Sequence, residues 1–322
     1  MSGVEFWLNQ QWYQLKKPNI LLRFLSVFYA IALRFRKAQN AVKLSVPVVV
    51  VGNFTVGGTG KTPLIIAIVE RLKQNGYKPG VVSRGYGRQM KLPVSVNADT
   101  SASDAGDEPL LVYQHTGVPV QVDSDRCRAA RFLIECGCSV ILSDDGLQHR
   151  NLPRDLEIEV IDSQRVYGNS LLLPAGPLRE PVRPVSLQVS NGSLIDQGKC
   201  YAMQLNASHC YPLDGHLQIS LHEFSGQSAF ALAGIGNPER FFSVLKQYDI
   251  LVDGKALPDH HALALADFPE HGTVFITEKD AVKCKGMKRD NVWVVPAAAK
   301  LSDSFFDEFF NQLKTIELRK YD

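Results

Sequence analysis

The stretch Val46–Thr62, VPVVVVGNFTVGGTGKT, constrains this chain more than any other. Its valine run around a single proline reads as a buried strand, a glycine-rich turn follows, and Gly60-Lys61-Thr62 opens a helix expected to reach about Asn75. Strand, glycine loop and helix in that order are the context of a phosphate-binding P-loop, because loop amides and a helix N-terminus then converge on one anion. Lys61 would reach the β- and γ-oxygens of a nucleotide, and the Thr62 hydroxyl would ligate Mg2+. Thr55 stands where the usual pattern has its first glycine, which leaves Gly57 and Gly58 to supply permissive backbone. The competing reading is an ordinary glycine-rich βα turn; the adjoining GKT favours the phosphate loop.

Strand and helix patterns alternate from there. Gly80–Ser83, Leu92–Val96, Val118–Val122, Ser139–Ser143 and Leu156–Asp162 read as strands, with helices over Glu108–His115 and Ser124–Cys136. The rhythm predicts an α/β fold: a P-loop, doubly wound, mainly parallel sheet with helices on both faces. Ligands of such sheets sit outside the carboxyl ends of the strands, so Thr55–Thr62, Arg84–Gly87 and Asp144–Asp145 should converge. At 322 residues two domains are expected. The proline-rich Leu173–Pro184 reads as a boundary or a rigid loop; as a boundary it gives a nucleotide-binding domain over 45–184 and a smaller α/β domain over 185–322. In the latter, Ala229–Gly234, Val274–Thr277 and Val292–Pro296 read as strands, with helices near Pro238–Gln247 and over Asp303–Leu318. Gly234-Ile235-Gly236 lacks the third glycine of a dinucleotide fingerprint and reads as an ordinary βα turn.

Residues 1–44 form a distinct segment. Ile20–Leu33 is apolar except for Arg23 and Ser26, too short and too interrupted to span a bilayer, and no small-residue cleavage site follows it. Leu21, Leu25, Phe28, Ala32 and Phe35 fall at helical spacing, with Trp7, Trp12 and Tyr13 upstream. Lys16, Lys17, Arg23, Arg34, Arg36, Lys37 and Lys43 face only Glu5, in a chain whose net charge is +2. That pattern fits an amphipathic helix on an anionic membrane surface; a helix packed on the body of the protein is the alternative, and the two are compatible. The near-neutral total gives no reason to expect a nucleic-acid partner. Six cysteines without a CxxC pair read as reduced, mostly buried thiols rather than a zinc site or disulfides.

Asp144 and Asp145 follow the hydrophobic Val140–Leu142, where a carboxylate that holds Mg2+ near a bound triphosphate belongs. Gly106-Asp107-Glu108-Pro109 places two acids at a helix start, where charge complementing the helix dipole explains them without catalysis. Asp259-His260-His261 sets a carboxylate beside two imidazoles in a Pro-flanked loop, a combination able to help deprotonate a hydroxyl, although a surface-loop histidine is the commoner outcome. Thr277-Glu278-Lys279-Asp280 has the wrong spacing for a guanine-reading motif.

Several blocks in this order give a resemblance that covers nearly the whole chain: VVVVGNFTVGGTGKTP (48–63), VVSRGYG (81–87), AGDEPLL (105–111), SDDGLQH (143–149), LPAGPLRE (173–180), AGIGNPERFF (233–242), PDHH (258–261) and TEKDAVK (277–283). The sequence resembles the tetraacyldisaccharide 4'-kinases, the lipid A 4'-kinases of Gram-negative bacteria, which share the Thr55 departure. The resemblance implies two α/β/α domains with the active site between them and a membrane-facing N-terminal helix. It implies ATP held by Thr55, Val56, Gly57, Gly58, Thr59, Gly60, Lys61 and Thr62, and Mg2+ held by Thr62 with Asp144 and Asp145. It further implies Asp107 as catalytic base assisted by His260, with Glu108, Tyr86, Gln148, His149, Arg179 and Glu180 in the cleft. The expected reaction carries the γ-phosphate of ATP to the 4'-hydroxyl of a tetraacylated glucosamine disaccharide 1-phosphate at the cytoplasmic face of the inner membrane. A P-loop NTPase switch at a membrane, and a membrane-binding protein without turnover, are the rival classes.

Overall fold

The computed structural model describes residues 3–14, 18–35, 43–193, 200–215, 217–259, 261 and 263–321. The strand Val48–Gly52 lies at the middle of a nine-stranded sheet. Val49 and Val51 point into one core cluster and Val48 and Val50 into the other, so the strand is covered on both faces. That is why it reads as a continuous apolar run instead of an alternating one. Leu156–Asp162, Leu187–Asn191 and Cys200–Asn206 follow it in parallel on one side; Val140–Asp144, Pro79–Ser83 and Val120–Val122 do so on the other. Antiparallel strands Ala298–Leu301 and Val94–Ser95 finish the two edges.

A second sheet of six strands is built from residues 209–295. Leu251–Ala256, Ser228–Ala233, Thr273–Thr277 and Val292–Val295 run parallel, with His209–Pro212 and Ile219–Ser220 added antiparallel at one edge. The sheets do not part at 184/185, where the proline-rich segment suggested a boundary. Leu187–Asn191, Cys200–Asn206 and Ala298–Leu301 all belong to the large sheet. The C-terminal helix Asp303–Tyr321 belongs there as well, burying Phe305, Phe309 and Leu313 in the cluster that holds Leu64, Ile68 and Leu72 of the helix Lys61–Gln74. The second sheet is thus an insertion between two parts of the first.

The N-terminal helices Gly3–Tyr13 and Ile20–Phe35 lie on the loop 169–179. Trp12 Nε1 donates to the Pro174 carbonyl (2.9 Å), Ser26 Oγ to Leu172 (2.9 Å) and Tyr29 Oη to Arg179 (2.7 Å). The opposite side of the second helix leaves Ile20, Leu21, Phe24, Phe28, Ile31 and Phe35 exposed. Among the described residues no helix is long and apolar enough to cross a membrane. All six cysteines are free thiols, four of them buried.

Because the C-terminal helix completes the core under the P-loop helix, Phe309→Ala should destabilise the whole large-sheet unit by about 3–5 kcal/mol. Denaturant unfolding with and without the substitution measures this; a loss below about 1 kcal/mol would show that the helix is peripheral.

Candidate active site

Sheet register brings the two phosphate-site motifs together. Val51 lies opposite Asp144, so the P-loop and the Asp144-Asp145 turn leave neighbouring strands side by side, and the Gly146 amide donates back to the Val51 carbonyl (3.2 Å). Gly60 is in the left-handed region at φ 97, and a Cβ there would sit 2.6 Å from Asn191 Nδ2, so the residue that starts the helix cannot carry a side chain. Asn191 holds the loop from below by donating to the Thr59 carbonyl (2.9 Å). The first part of the loop is committed internally. Thr55 is buried with its carbonyl and hydroxyl accepting from Asn53 Nδ2, and the Val56 amide donates to the Pro177 carbonyl (2.9 Å). Gly57–Thr62 is therefore the stretch free to meet a phosphate.

A tight polar network closes around Lys61. Its ammonium donates to Asn53 Oδ1 (2.9 Å) and lies 3.5 Å from Asp145. Arg179 grips Asp145 with both terminal nitrogens at 2.8 Å, and one of them also donates to the Asn53 carbonyl and side-chain oxygen. Gln148 bridges the Asn53 carbonyl (3.1 Å) and buried Glu180 (3.0 Å).

The two aspartates experience opposite fields. Burial alone would raise Asp145, but the Lys61 and Arg179 charges outweigh it and hold the carboxyl well below the usual range. Asp144, the last strand residue, is pushed up to about 7 by burial and by the charges of Glu108 and Asp145. It accepts from Ser83 Oγ (3.2 Å) through one oxygen, and its buried Oδ1 has no hydrogen-bond partner. Beneath the pair lies Arg126, almost fully buried, donating to the Asp145 carbonyl (3.2 Å) with its Nε unpaired. Burial and the Arg126 charge push His149 down to about 4, leaving a neutral imidazole near pH 7.

A second cluster faces this network. Buried Asp107 opens the helix Asp107–Thr116, and Glu108 beside it accepts from Lys279 Nζ (3.1 Å), which is also 3.4 Å from Asp259. Gly106 packs on Gly85, whose amide donates to Ser83 Oγ (3.3 Å), itself bonded to Asp144, and the charge of Glu108 reaches Asp144, so the two clusters are neighbours. Tyr86, highly exposed, stands on the Arg84–Gly87 loop whose backbone packs against Gly106. His260 lies outside the described residues. His261, left out of the expected catalytic set, pairs instead with Asp267 (3.1 Å).

The second sheet reaches the P-loop directly. The Gly234-Ile235-Gly236 turn packs on Gly57-Gly58 so closely that a Cβ on Gly236 would overlap the Gly58 amide nitrogen, and Arg165 donates to the Gly236 carbonyl (3.1 Å). The expected ordinary βα turn is thus a packing surface for the phosphate loop. Asn53 and Arg126 were not singled out from the sequence, and Lys279 was weighed only as part of a guanine-reading motif with the wrong spacing. Asn53 lies inside the strand–loop motif and could have been found there; Arg126 sits in an unremarkable helix and gave no signal.

A family model described as "Tetraacyldisaccharide-1-P 4'-kinase" matches residues 18–314. A protein of Hahella chejuensis named tetraacyldisaccharide 4'-kinase is 41% identical, over 98% of this chain and 99% of its own length. One of that name from Stenotrophomonas maltophilia is 46% identical over 95% and 96%. A crystal structure of LpxK from Aquifex aeolicus in complex with ATP is 28% identical, with a TM-score of 0.75 over 90% of this chain and 98% of that one.

Since Gly236 has no room for a Cβ, Gly236→Ala should displace the P-loop and weaken nucleotide binding about tenfold, with little change in melting temperature. Titration with a fluorescent ATP analogue reads it, and an unchanged Kd would mean that the contact does not shape the phosphate site.

Proposed function

The chain belongs to the tetraacyldisaccharide-1-P 4'-kinase family, and from that premise we propose how its residues divide the work. It is an ATP-dependent kinase that phosphorylates the 4'-hydroxyl of a tetraacylated glucosamine disaccharide 1-phosphate, giving the bis-phosphorylated lipid A precursor. The observation that carries the residue assignment is the convergence of Lys61, Asp144, Asp145 and the Asp107–Glu108 helix start on one cleft at the carboxyl ends of the parallel strands.

Gly57–Thr62 hold the triphosphate with loop amides and the helix N-terminus, and Lys61 exchanges part of its contact with Asn53 and Asp145 for phosphate oxygens. Arg179 keeps Asp145 in place while that exchange occurs. The Thr62 hydroxyl with Asp144 and Asp145 makes an all-oxygen donor set suited to Mg2+, and the unpartnered Asp144 Oδ1 is the oxygen most available to it. When bound, Mg2+ supplies charge neutralisation at the β- and γ-phosphoryl oxygens. Asp107 accepts the proton of the 4'-hydroxyl, late, because the transition state of phosphoryl transfer is loose. His260 assists it. Gln148 and Glu180 brace Asn53 beside Lys61, and Tyr86 and His149 are cleft residues without an assigned step.

Residues 209–295 act as the body that closes over the nucleotide, through the Gly236 contact with Gly58. The exposed apolar face of Ile20–Phe35 rests on the cytoplasmic surface of the inner membrane, where the acyl chains of the substrate stay.

Transfer of labelled γ-phosphate from ATP to the tetraacylated disaccharide 1-phosphate in mixed micelles tests this reading. Lys61→Ala should abolish label in the lipid, and Asp107→Ala should lower kcat about 10²–10⁴-fold with ATP affinity nearly kept. Near wild-type turnover in the Asp107 variant would remove it as the base.

A further inference from the structure

Lys279 has no role in the chemistry described above, yet its surroundings are built for one. Its turn is locked at the end of the strand Thr273–Thr277. Thr277 Oγ1 caps the helix Glu278–Ala281, and the fully buried Asp280 accepts from Thr277 Oγ1 (2.7 Å), the Gly234 amide (3.1 Å) and Lys283 Nζ (2.7 Å). Gly234 begins the same turn that packs on the P-loop, so Lys279 projects from a frame already registered against Gly58. Next to it, Glu278 reaches back to the large-sheet unit by pairing with His115 (3.0 Å), while accepting from Tyr211 Oη (3.1 Å).

The Lys279 side chain is only 18% exposed, and its ammonium bonds Glu108 of one unit and Asp259 of the other. Asp107 adds a third negative charge within its reach. Together these carboxylates outweigh the cost of burial and raise the lysine well above its usual range, so it stays charged at any working pH. An ammonium already held by two carboxylates is poorly placed to become a phosphate ligand; it is well placed to fix the segments that carry them.

We infer that Lys279 is a positioning residue for phosphoryl transfer: it pins the Asp107–Glu108 helix start against the Asp259 segment across the cleft, and so sets the base relative to a closed second sheet. The inference rests on the proposed role of Asp107. Without the cation, Glu108 and Asp259 would lose the ammonium that both of them bond, and Asp107 a positive charge within its reach. The helix start would then relax away from the acceptor hydroxyl. Displacement of about 1 Å at a catalytic group is enough to cost on the order of 10²-fold in rate.

The test uses the full chain, the labelled-ATP transfer assay in mixed micelles and a separate titration of ATP-analogue affinity. Lys279→Met should lower kcat about 100-fold while the nucleotide Kd stays within about threefold. Lys279→Arg keeps the charge and the reach, and should recover to within about tenfold of wild type. Glu108→Gln combined with Lys279→Met should be no worse than Lys279→Met alone, as expected for groups acting as one unit. Wild-type kcat in Lys279→Met would overturn the inference. So would a loss that merely follows the folded fraction or the nucleotide Kd, or an arginine variant no better than methionine. Asp107→Asn, run alongside, separates the two readings: if it turns over normally the base assignment falls, whereas an inactive Asp107→Asn beside an active Lys279→Met removes Lys279 alone.

Discussion

The ion network of Lys61, Asp145, Arg179 and Asn53 is the point on which the rest of the site depends. Lys61, the lysine proposed to meet phosphate, has a side chain only 11% exposed. A charge so placed needs a counter-charge held in good geometry, or its desolvation is not offset. Asp145 provides it, and is itself fixed by the two-pronged grip of Arg179. Because Arg179 ends the loop 169–179, that loop has to be immobilised. The N-terminal helices do this through Trp12, Ser26 and Tyr29, whose side chains donate to loop carbonyls. The helix with the exposed apolar face is therefore two hydrogen bonds away from the counter-ion of the phosphate lysine.

The second sheet acts on the same centre from the other side. Its contact at Gly236 with Gly58 is steric, fastened by the Arg165 donation to the Gly236 carbonyl, and its contact at Lys279 is electrostatic. The steric contact needs glycine because backbone meets backbone. The electrostatic one can bridge a wider gap because lysine has a long stem. Both contacts come from loops at the carboxyl ends of parallel strands, Ser228–Ala233 and Thr273–Thr277. Two parallel sheets thus face each other carboxyl end to carboxyl end, which places chemistry-bearing loops from both in one crevice.

Much of this was legible in the sequence where local rules decide the outcome. Val48–Gly52, Lys61–Gln74 and Val140–Asp144 are strong because a buried parallel strand, a GKT helix start and a strand-ending aspartate pair each leave a local pattern. The domain boundary failed because a proline-rich stretch reads equally as a boundary and as a rigid loop, and here it is the loop. Pro174, Pro177, Pro181 and Pro184 stiffen a loop on the P-loop, while the strands that follow return to the large sheet. Ala298–Leu301, an edge strand of sequence AAKL with low β-propensity, carries no period that could have announced it. Arg126, and the bridging place of Lys279, escaped for a different reason. Their importance comes from burial against distant carboxylates, and charge in a single sequence looks the same whether it faces water or a cleft.

The two adjacent aspartates show how backbone geometry divides labour between like residues. Asp144 keeps strand geometry and points among Ser83, Glu108 and Arg126. Asp145 turns into the left-handed region at φ 47, a conformation that costs about 1 kcal/mol or more outside glycine but that aspartate tolerates better than most. The donation of Arg126 to its carbonyl and the Arg179 fork on its carboxylate offset that cost. The turn swings the second carboxylate away from the first, so the pair is not a single block of negative charge. One is neutralised by lysine and arginine; the other is held up by burial and by Glu108 and Asp145 against Lys61 and Arg126, with an unpartnered oxygen. Were both balanced by side chains, no negative charge would remain for the metal ion proposed at this site. Were neither balanced, Lys61 would have no fixed resting position. A single aspartate could satisfy only one of these demands, which gives the second a physical reason to be there.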